Sequence, residues 1–256
     1  MTATKALDGP TANLVETYFR LAQATPGACV WQRGNLRGCT GPFSHPICNF
    51  VVASDLTDAD IRELGRIAEA RDPFHAYVLP GGDRSKIARR LAAIGLSPTY
   101  RLIQMVAPPL HELPGLQPVE ATTHAARLAL AKFMVNQFFH SQPRQFREGI
   151  ARATAKAGGL GLYAVGFQGA VLGSLMLCRE GSTLGVYNLC VAPEFRNQGW
   201  GRNMLDWVRA IAGTEGRTVT LQCDDRLTDW YRRAGFNENG EITAYLRPFG
   251  GTFDTM

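Results

Sequence analysis

The chain has 256 residues, of which 45% are hydrophobic, enough apolar material for packed cores in one large or two ordinary domains; two are expected. A formal charge of +5 arises from 27 basic and 22 acidic residues without any Lys/Arg run of the kind that marks nucleic-acid tails. The mild basic bias suits a polyanionic small ligand, and nucleic acid is not expected as a partner. No apolar run reaches the roughly 18 residues needed to span a bilayer, and the first ten residues lack the positive-then-apolar pattern of a secretory signal. A cytoplasmic protein is therefore expected.

In chain order, residues 11–24 place Leu14, Val15, Tyr18, Phe19 and Ala22 on one stripe, an amphipathic first helix. Between Gly27 and His45, short apolar pieces such as Cys29-Val30-Trp31 alternate with Gly34, Gly38 and Gly41, as strands joined by tight turns do. A strand is predicted over Asn49–Ala53. Asp55-Leu56-Thr57-Asp58 then leads into a helix over 58–70, with Ile61, Leu64 and Ile67 inward and Pro73 as its stop. His75–Leu79 reads as a strand, Pro80-Gly81-Gly82 as a turn, Ser85–Ile94 as a helix and Thr99–Val106 as a strand. Residues 107–118 hold four prolines and no periodicity, which marks an interdomain linker.

After the linker come a short strand at Val119–Ala121, helices over 123–139 and 143–156, and a Gly158-Gly159 stop. Leu160–Phe167 and Ala170–Cys178 read as strands joined by a Gln168-Gly169 hairpin turn. Glu180-Gly181-Ser182 makes another turn into a strand over Thr183–Val191. A glycine loop, a helix, a strand over Thr218–Cys223, a helix over 227–234 and a terminal pair of strands ending near Arg247 complete the chain.

The chemistry concentrates in the segment 187–212. A short apolar strand ends at Val191, Pro193 stops it, and Arg196-Asn197-Gln198-Gly199-Trp200-Gly201 opens a helix whose Met204, Leu205, Val208 and Ile211 share one face. A helix start presents unpaired N–H groups and partial positive charge, so a loop without Cβ at two positions lets a diphosphate approach closely. Arg196 and Arg202 flank it with charge. A bare glycine turn between strand and helix is the plain alternative. The dinucleotide pattern is excluded because it needs a third glycine at Met204, and the triphosphatase loop because it needs Gly-Lys-Ser/Thr.

Written as V-x-P-x-x-R-x-x-G-x-G, the residues Val191, Pro193, Arg196, Gly199 and Gly201 resemble the acyl-CoA pyrophosphate loop of the GNAT superfamily of N-acyltransferases. Tyr231-Arg232-Arg233-Ala234-Gly235-Phe236 matches a second pattern of that family, Y-x-x-x-G-F, and the order of elements over 116–247 is similar to its fold. The resemblance implies an α/β (α+β) domain at 116–256 with a mixed, mostly antiparallel sheet flanked by helices. It implies acetyl-CoA as co-substrate, lying along Leu189, Cys190 and Val191 with its diphosphate at Arg196, Asn197, Gln198, Gly199, Trp200, Gly201 and Arg202. It implies a backbone N–H at Cys190 or Val191 facing the thioester oxygen, and Tyr231 as the acid for the departing thiolate. Tyr187 and Asn188 stand where many family members carry a carboxylate or histidine, so Asn188 occupies a catalytic position without an evident base. Asp224, Asp225, Glu180 and His140 are the alternatives.

The first half, 1–110, reads as a degenerate copy of the second. Leu91–Leu96 stands to Tyr231–Phe236 at an offset of 231 − 91 = 140, and Asn49–Ala53 to Asn188–Ala192 at 188 − 49 = 139. Leu56-Thr57-Asp58-Ala59-Asp60 replaces the glycine loop and Leu91 the tyrosine, so one CoA site per chain is expected. The six cysteines, at 29, 39, 48, 178, 190 and 223, never form C-x-x-C and read as reduced, buried thiols rather than a metal site. The expected activity is acetyl transfer to the primary amine of a small molecule by a monomer or homodimer. A catalytically silent CoA-binding sensor and an enzyme using another acyl-CoA are the alternatives.

Overall fold

The computed structural model describes residues 7–42, 48–53, 56–70, 74–81, 83–112, 115–167 and 170–247. Asp55, Pro73 and Gly82, to which sequence roles are given above, lie outside these, as do His45 and the Gln168-Gly169 turn. The elements are α1 (Gly9–Ala24), β1 (Cys29–Arg33), β2 (Leu36–Thr40), β3 (Phe50–Ala53), α2 (Asp58–Ala70), β4 (His75–Val78), α3 (Arg84–Ala93), β5 (Ser97–Ala107), β6 (Val119–Glu120), α4 (His124–Phe138) and α5 (Arg144–Lys156). They continue with β7 (Leu160–Phe167), β8 (Ala170–Glu180), β9 (Thr183–Val191), α6 (Trp200–Thr214), β10 (Thr218–Cys223), α7 (Thr228–Arg233) and β11 (Asn237–Leu246).

All the strands join one sheet in the order β1-β2-β3-β4-β11-β5-β10-β9-β8-β7-β6. Pairing is antiparallel except for β3 with β4 and β9 with β10. One face carries α1, α4 and α5, and the other α2, α3, α6 and α7. On the first face, α1 packs Leu14, Val15 and Phe19 against Phe50, Val52 and Tyr77, while its Leu21 joins Met134, Ile150 and Met176 under α4 and α5. On the second, Leu64 and Leu91 cover β3 and β4, and Met204, Leu205 and Val208 cover β8 to β10.

The two halves repeat one set of pairings. β2 and β3 are antiparallel and β3 is parallel to β4 around α2; β8 and β9 are antiparallel and β9 is parallel to β10 around α6. Each repeat then runs helix, left-handed glycine, strand, but the two closing strands are exchanged. β5 lies between β11 and β10, and β11 lies between β4 and β5. Each half thus completes the sheet of the other, with no edge at the junction.

The terminal pair of strands expected near Arg247 is corrected to the single ten-residue β11. Asn239-Gly240, a turn signal in isolation, forms an irregularity in the β11–β5 register between Glu238 and Gly240 instead. Pairing with β5 on either side of the irregularity, Glu238 with Met105 and Gly240 with Gln104, holds the chain in the strand, which a local turn propensity does not outweigh. The first helix is also buried over a wider arc than its apolar stripe, because Thr11, Asn13 and Thr17 are buried as well.

Candidate active site

The second half opens its sheet at one place. β9 and β10 pair only over Thr183–Gly185 with Thr218–Thr220, after which Leu221, Gln222 and Cys223 continue beside β5 while β9 departs. The departure coincides with a bulge in β9. Cys190 stands opposite Ser174 and Tyr187 opposite Met176, so Asn188 and Leu189 share the single partner Leu175. Asn188 takes φ +50°, a left-handed value that Asn tolerates better than most side chains. The extra residue resets the alternation, so that Val186, Leu189 and Val191 pack toward α6 and Tyr187 and Cys190 toward α4 and α5.

Past the bulge, the Ala192 N–H donates to Leu172 O at 2.8 Å. By antiparallel alternation the preceding residue, Val191, turns its N–H and C=O away from β8 and into the notch. Its carbonyl accepts from Arg196 Nε at 3.1 Å. Of the two amides the sequence left open, Val191 is therefore the one facing the notch. Arg196 also reaches Gln137 of α4 through Nη2 at 3.3 Å, which ties the loop to the far wall.

The loop ends at the start of α6. Asn197 (φ +60°) and Gly199 (φ +82°) both take left-handed backbone, and Gly199 is an N-cap without a side chain to bond the first-turn N–H groups. A Cβ on Gly201 would lie 3.4 Å from the Trp230 ring, at ordinary contact distance, where α6 starts beside α7. Trp200 packs on the apolar core, and its indole Nε1 is buried without a partner among the described residues. Gln198 closes the loop on itself by donating to Glu194 O. Arg202 turns elsewhere: its Nε bonds both oxygens of Asp206 at 3.1 and 3.0 Å and its Nη1 bonds Arg233 O.

Tyr231 stands on the α6 side of the notch, edge-on to Trp230 (4.8 Å between centroids) and Phe236 (5.8 Å). Burial, reinforced by nearby Cys223, raises its pKa well above the ordinary phenol value and keeps it protonated. Gly235 (φ +85°) stops α7, and Phe236 N–H returns to Tyr231 O at 3.0 Å, fixing the tyrosine relative to β11. Arg209 seals this turn by donating to Ala234 O (3.1 Å) and Pro108 O (3.0 Å), so the segment after β5 is pinned rather than free.

The alternative bases fare poorly. Asp224 is held by Arg226 through side chain and backbone, which lowers its pKa, and Asp225 pairs with Arg101. Glu180 pairs with Arg20 at the opposite end of β9 from the notch. His140 is exposed in the α4–α5 turn. Cys190 touches Ser174 Oγ at 3.2 Å, and burial raises its thiol to about 11, against a role as nucleophile. All six cysteines are free and five are buried; Cys29 is exposed, which corrects the expectation for that one. Among the described residues no His/Cys/Asp/Glu group could hold a metal, and no helix is long and apolar enough to cross a membrane.

Residues that sequence reasoning missed lie on the α1 side. Tyr187 donates to Asn13 Oδ1 at 2.8 Å, and Asn13 Nδ2 donates to Cys178 O, Thr183 O and Thr183 Oγ1. The one local signal was a polar residue amid the apolar positions of α1. Gln104 and Gln222, which stand opposite each other on β5 and β10, carried no signal at all.

Among its described residues the first half shows no such opening. β3 and β4 pair continuously from Phe50–His75 to Ala53–Val78, and β3 has no register shift against β2. At the start of α2 the Asp60 carboxylate accepts from Thr57 N (2.9 Å), Thr57 Oγ1 (2.6 Å) and Asn35 Nδ2 (3.0 Å), so an internal anion occupies that turn. Burial would raise its pKa, but the bonds from Thr57 and Asn35 lower it below the usual range.

Comparison with known proteins gives the same picture. Residues 159–238 match the model of the acetyltransferase (GNAT) domain. A search of curated proteins found no match. Among solved structures, a GCN5-related N-acetyltransferase from Kribbella flavida is similar with a TM-score of 0.66 at 15% identity, covering 95% of this chain and 96% of its own. An acetyltransferase described as of the GNAT family, from Novosphingobium aromaticivorans, gives 0.59 at 17% identity over 93% and 96%. A tandem GNAT protein from the clavulanic acid biosynthesis pathway gives 0.57 at 14% identity over 95% and 96%. At these identities the likeness is one of fold.

Proposed function

We propose that this GNAT-fold chain, whose residues 159–238 match the GNAT acetyltransferase domain, transfers an acetyl group from acetyl-CoA to the primary amine of a small molecule. The supporting observation is the conjunction at one place of the β9 bulge, the β9–β10 notch and the uncapped start of α6. The notch leaves one edge of β9 for the pantetheine arm to pair with, and the first-turn N–H groups of α6 suit the diphosphate. Leu189, Cys190 and Val191 would flank the arm, and the backbone of Asn197 to Gly201, with Arg196, would hold the phosphates. Arg202 is assigned a lesser part, since Asp206 compensates its charge.

In this reading the Val191 N–H polarises the thioester carbonyl and stabilises the oxyanion formed on attack. The protonated Tyr231 supplies the proton to the leaving thiolate. Attack is direct, within a ternary complex, because Cys190 is held as a thiol. Asn188 acts through its backbone, by making the bulge, rather than as a side-chain base. The chain would comprise a closed first half, 1–110, and a catalytic half, 116–256, with a single CoA site in the latter.

Isothermal titration with CoA and thiol-release assays against a panel of primary amines test this. One CoA per chain and amine-dependent thiol release are expected. Tight CoA binding without turnover on any amine would favour a silent CoA-binding sensor, and no CoA binding would overturn both.

A further inference from the structure

The α1 side of the notch carries two buried amide donors without acceptors among the described residues. Gln104 and Gln222 are directly opposed on β5 and β10, so their side chains rise from the same face of the sheet within reach of one another. Gln104 is fully buried. Its Oε1 accepts from Thr11 Oγ1 (3.4 Å) and Asn239 Nδ2 (3.3 Å), yet its Nε2 has no partner among the described residues. Gln222 is half-buried; its Nε2 also makes no hydrogen bond among the described residues, and the side chain lies toward the Tyr187 phenol, whose pKa burial raises well above the ordinary value. A buried donor left unmade is costly, and folds rarely leave two side by side without a use for them.

The position supplies the use. Gln222 lies just beyond the last β9–β10 pair, Thr220 with Gly185, and therefore at the notch itself. Tyr187, Asn188, Leu189 and Tyr231 around the notch are all half-buried rather than sealed. Leu189 and Tyr231 pack on the α6 side, whereas Tyr187 and Gln222 face α1, so the two sides of the opening present different groups. The nearest charge along this chain of bonds is Asp8, which Asn239 Nδ2 holds at 3.2 Å.

We infer that Gln222, backed by Gln104, holds the acceptor amine by a carbonyl-type oxygen, of a carboxylate or an amide, on the α1 side of the notch. The inference rests on the acyl-transfer reading above. It makes the acceptor site a joint product of both halves, because β5 and α1 come from the first and β10 from the second. The acceptor then approaches the thioester from the side opposite Tyr231, so the incoming nitrogen and the proton for the leaving thiolate do not compete for space.

Three matched amines test this: glycine, glycinamide and n-propylamine, each with acetyl-CoA and the full-length chain. Wild-type kcat/KM is expected to favour glycine or glycinamide over n-propylamine by about tenfold or more, and whichever of the two dominates identifies the oxygen's source. Gln222→Met should erase that preference through KM while leaving CoA affinity and thermal stability unchanged. Equal turnover of the three amines, or a preference that survives Gln222→Met, overturns the inference with the acyl-transfer reading intact. If no amine is turned over, that reading fails, and the inference is judged by titrating CoA-loaded, 15N-labelled protein with glycinamide. Shifts of the Gln222 side-chain amide that n-propylamine does not cause would still support the site, and their absence would overturn it.

Discussion

The Tyr187 phenol donates a 2.8 Å hydrogen bond to Asn13 Oδ1 across 174 positions of sequence, tying the bulged strand to the first helix. Asn13 is fully buried and spends its amide hydrogens on Cys178 O and Thr183. Asn13→Ala leaves these groups unsatisfied, and a loss of about 3 kcal/mol in unfolding free energy is expected from urea titration. Arg144→Ala, which removes an exposed i,i+4 pair with Glu148, should change it by less than about 0.5 kcal/mol. Equal midpoints for the two variants would contradict the account of α1.

Gly95 and Gly235 close α3 and α7 with the same backbone, at φ +78° and +85°. Leu96 N–H reaches Leu91 O, and Phe236 N–H reaches Tyr231 O, each at 3.0 Å. Their surroundings differ: a Cβ on Gly95 meets nothing within 4 Å, whereas one on Gly235 falls 2.6 Å from Arg209 Nη1. Gly95→Ala should cost about 1–2 kcal/mol from backbone strain alone. Gly235→Ala should cost at least about 1 kcal/mol more, since it also displaces a buried guanidinium from Ala234 O. Thermal unfolding of the pair checks the difference.

For the diphosphate, Gly199→Asp and Gly201→Asp are expected to weaken CoA binding about tenfold or more by adding negative charge and bulk at the start of α6. Gly201→Ala, where the new methyl meets the Trp230 ring at ordinary contact distance, should have a much smaller effect. Titration calorimetry on folded variants decides it, and unchanged affinity in both Asp variants would place the phosphates elsewhere.

Tyr231→Phe removes the proposed acid while preserving the ring contacts with Trp230 and Phe236. A fall of about 10²-fold in kcat with unaltered CoA affinity is expected. A wild-type kcat in this variant would assign the proton to another donor.

Burial depresses the His75 pKa to about 4, against a smaller opposing pull from the Asn49 backbone. The folded chain therefore holds His75 neutral, while in the unfolded chain it titrates near 6.5. Its contribution is complete above about pH 6.5 and is lost as pH falls toward 4, by up to about 3 kcal/mol. Urea midpoints at pH 7.5, 5.5 and 4.5 should fall less steeply in His75→Phe than in wild type. Parallel curves would show that His75 does not carry the loss.

The boundaries of most elements were legible in the sequence because their causes are local. Thr123 and Asp83 cap α4 and α3 with side-chain bonds to the third residue on, and left-handed glycines stop helices at 95 and 235. The strand–loop–helix around Gly199 and Gly201 and the Tyr231 motif were readable for the same reason, since a left-handed turn into or out of a helix needs backbone features that only particular residues allow. The likeness of Leu91–Leu96 to Tyr231–Phe236 was legible in the same way, since both segments close a helix on a left-handed glycine, and the acidic stretch 56–60 holds Asp60, whose carboxylate occupies the start of α2.

What only the tertiary structure decided is non-local. The exchange of β5 and β11 depends on pairing between strands well over a hundred residues apart, and nothing in Asn239-Gly240 foretold that a turn signal would be held within a strand by its pairing with β5. The notch depends on where β9 leaves β10, which is set by an extra residue at Asn188 measured against β8 rather than by any property of Asn188 alone. Gln104 and Gln222 acquire meaning only once two strands from different halves stand side by side. Sequence fixes backbone preferences residue by residue, whereas a site between strands is made by register, and register is a property of the assembled sheet.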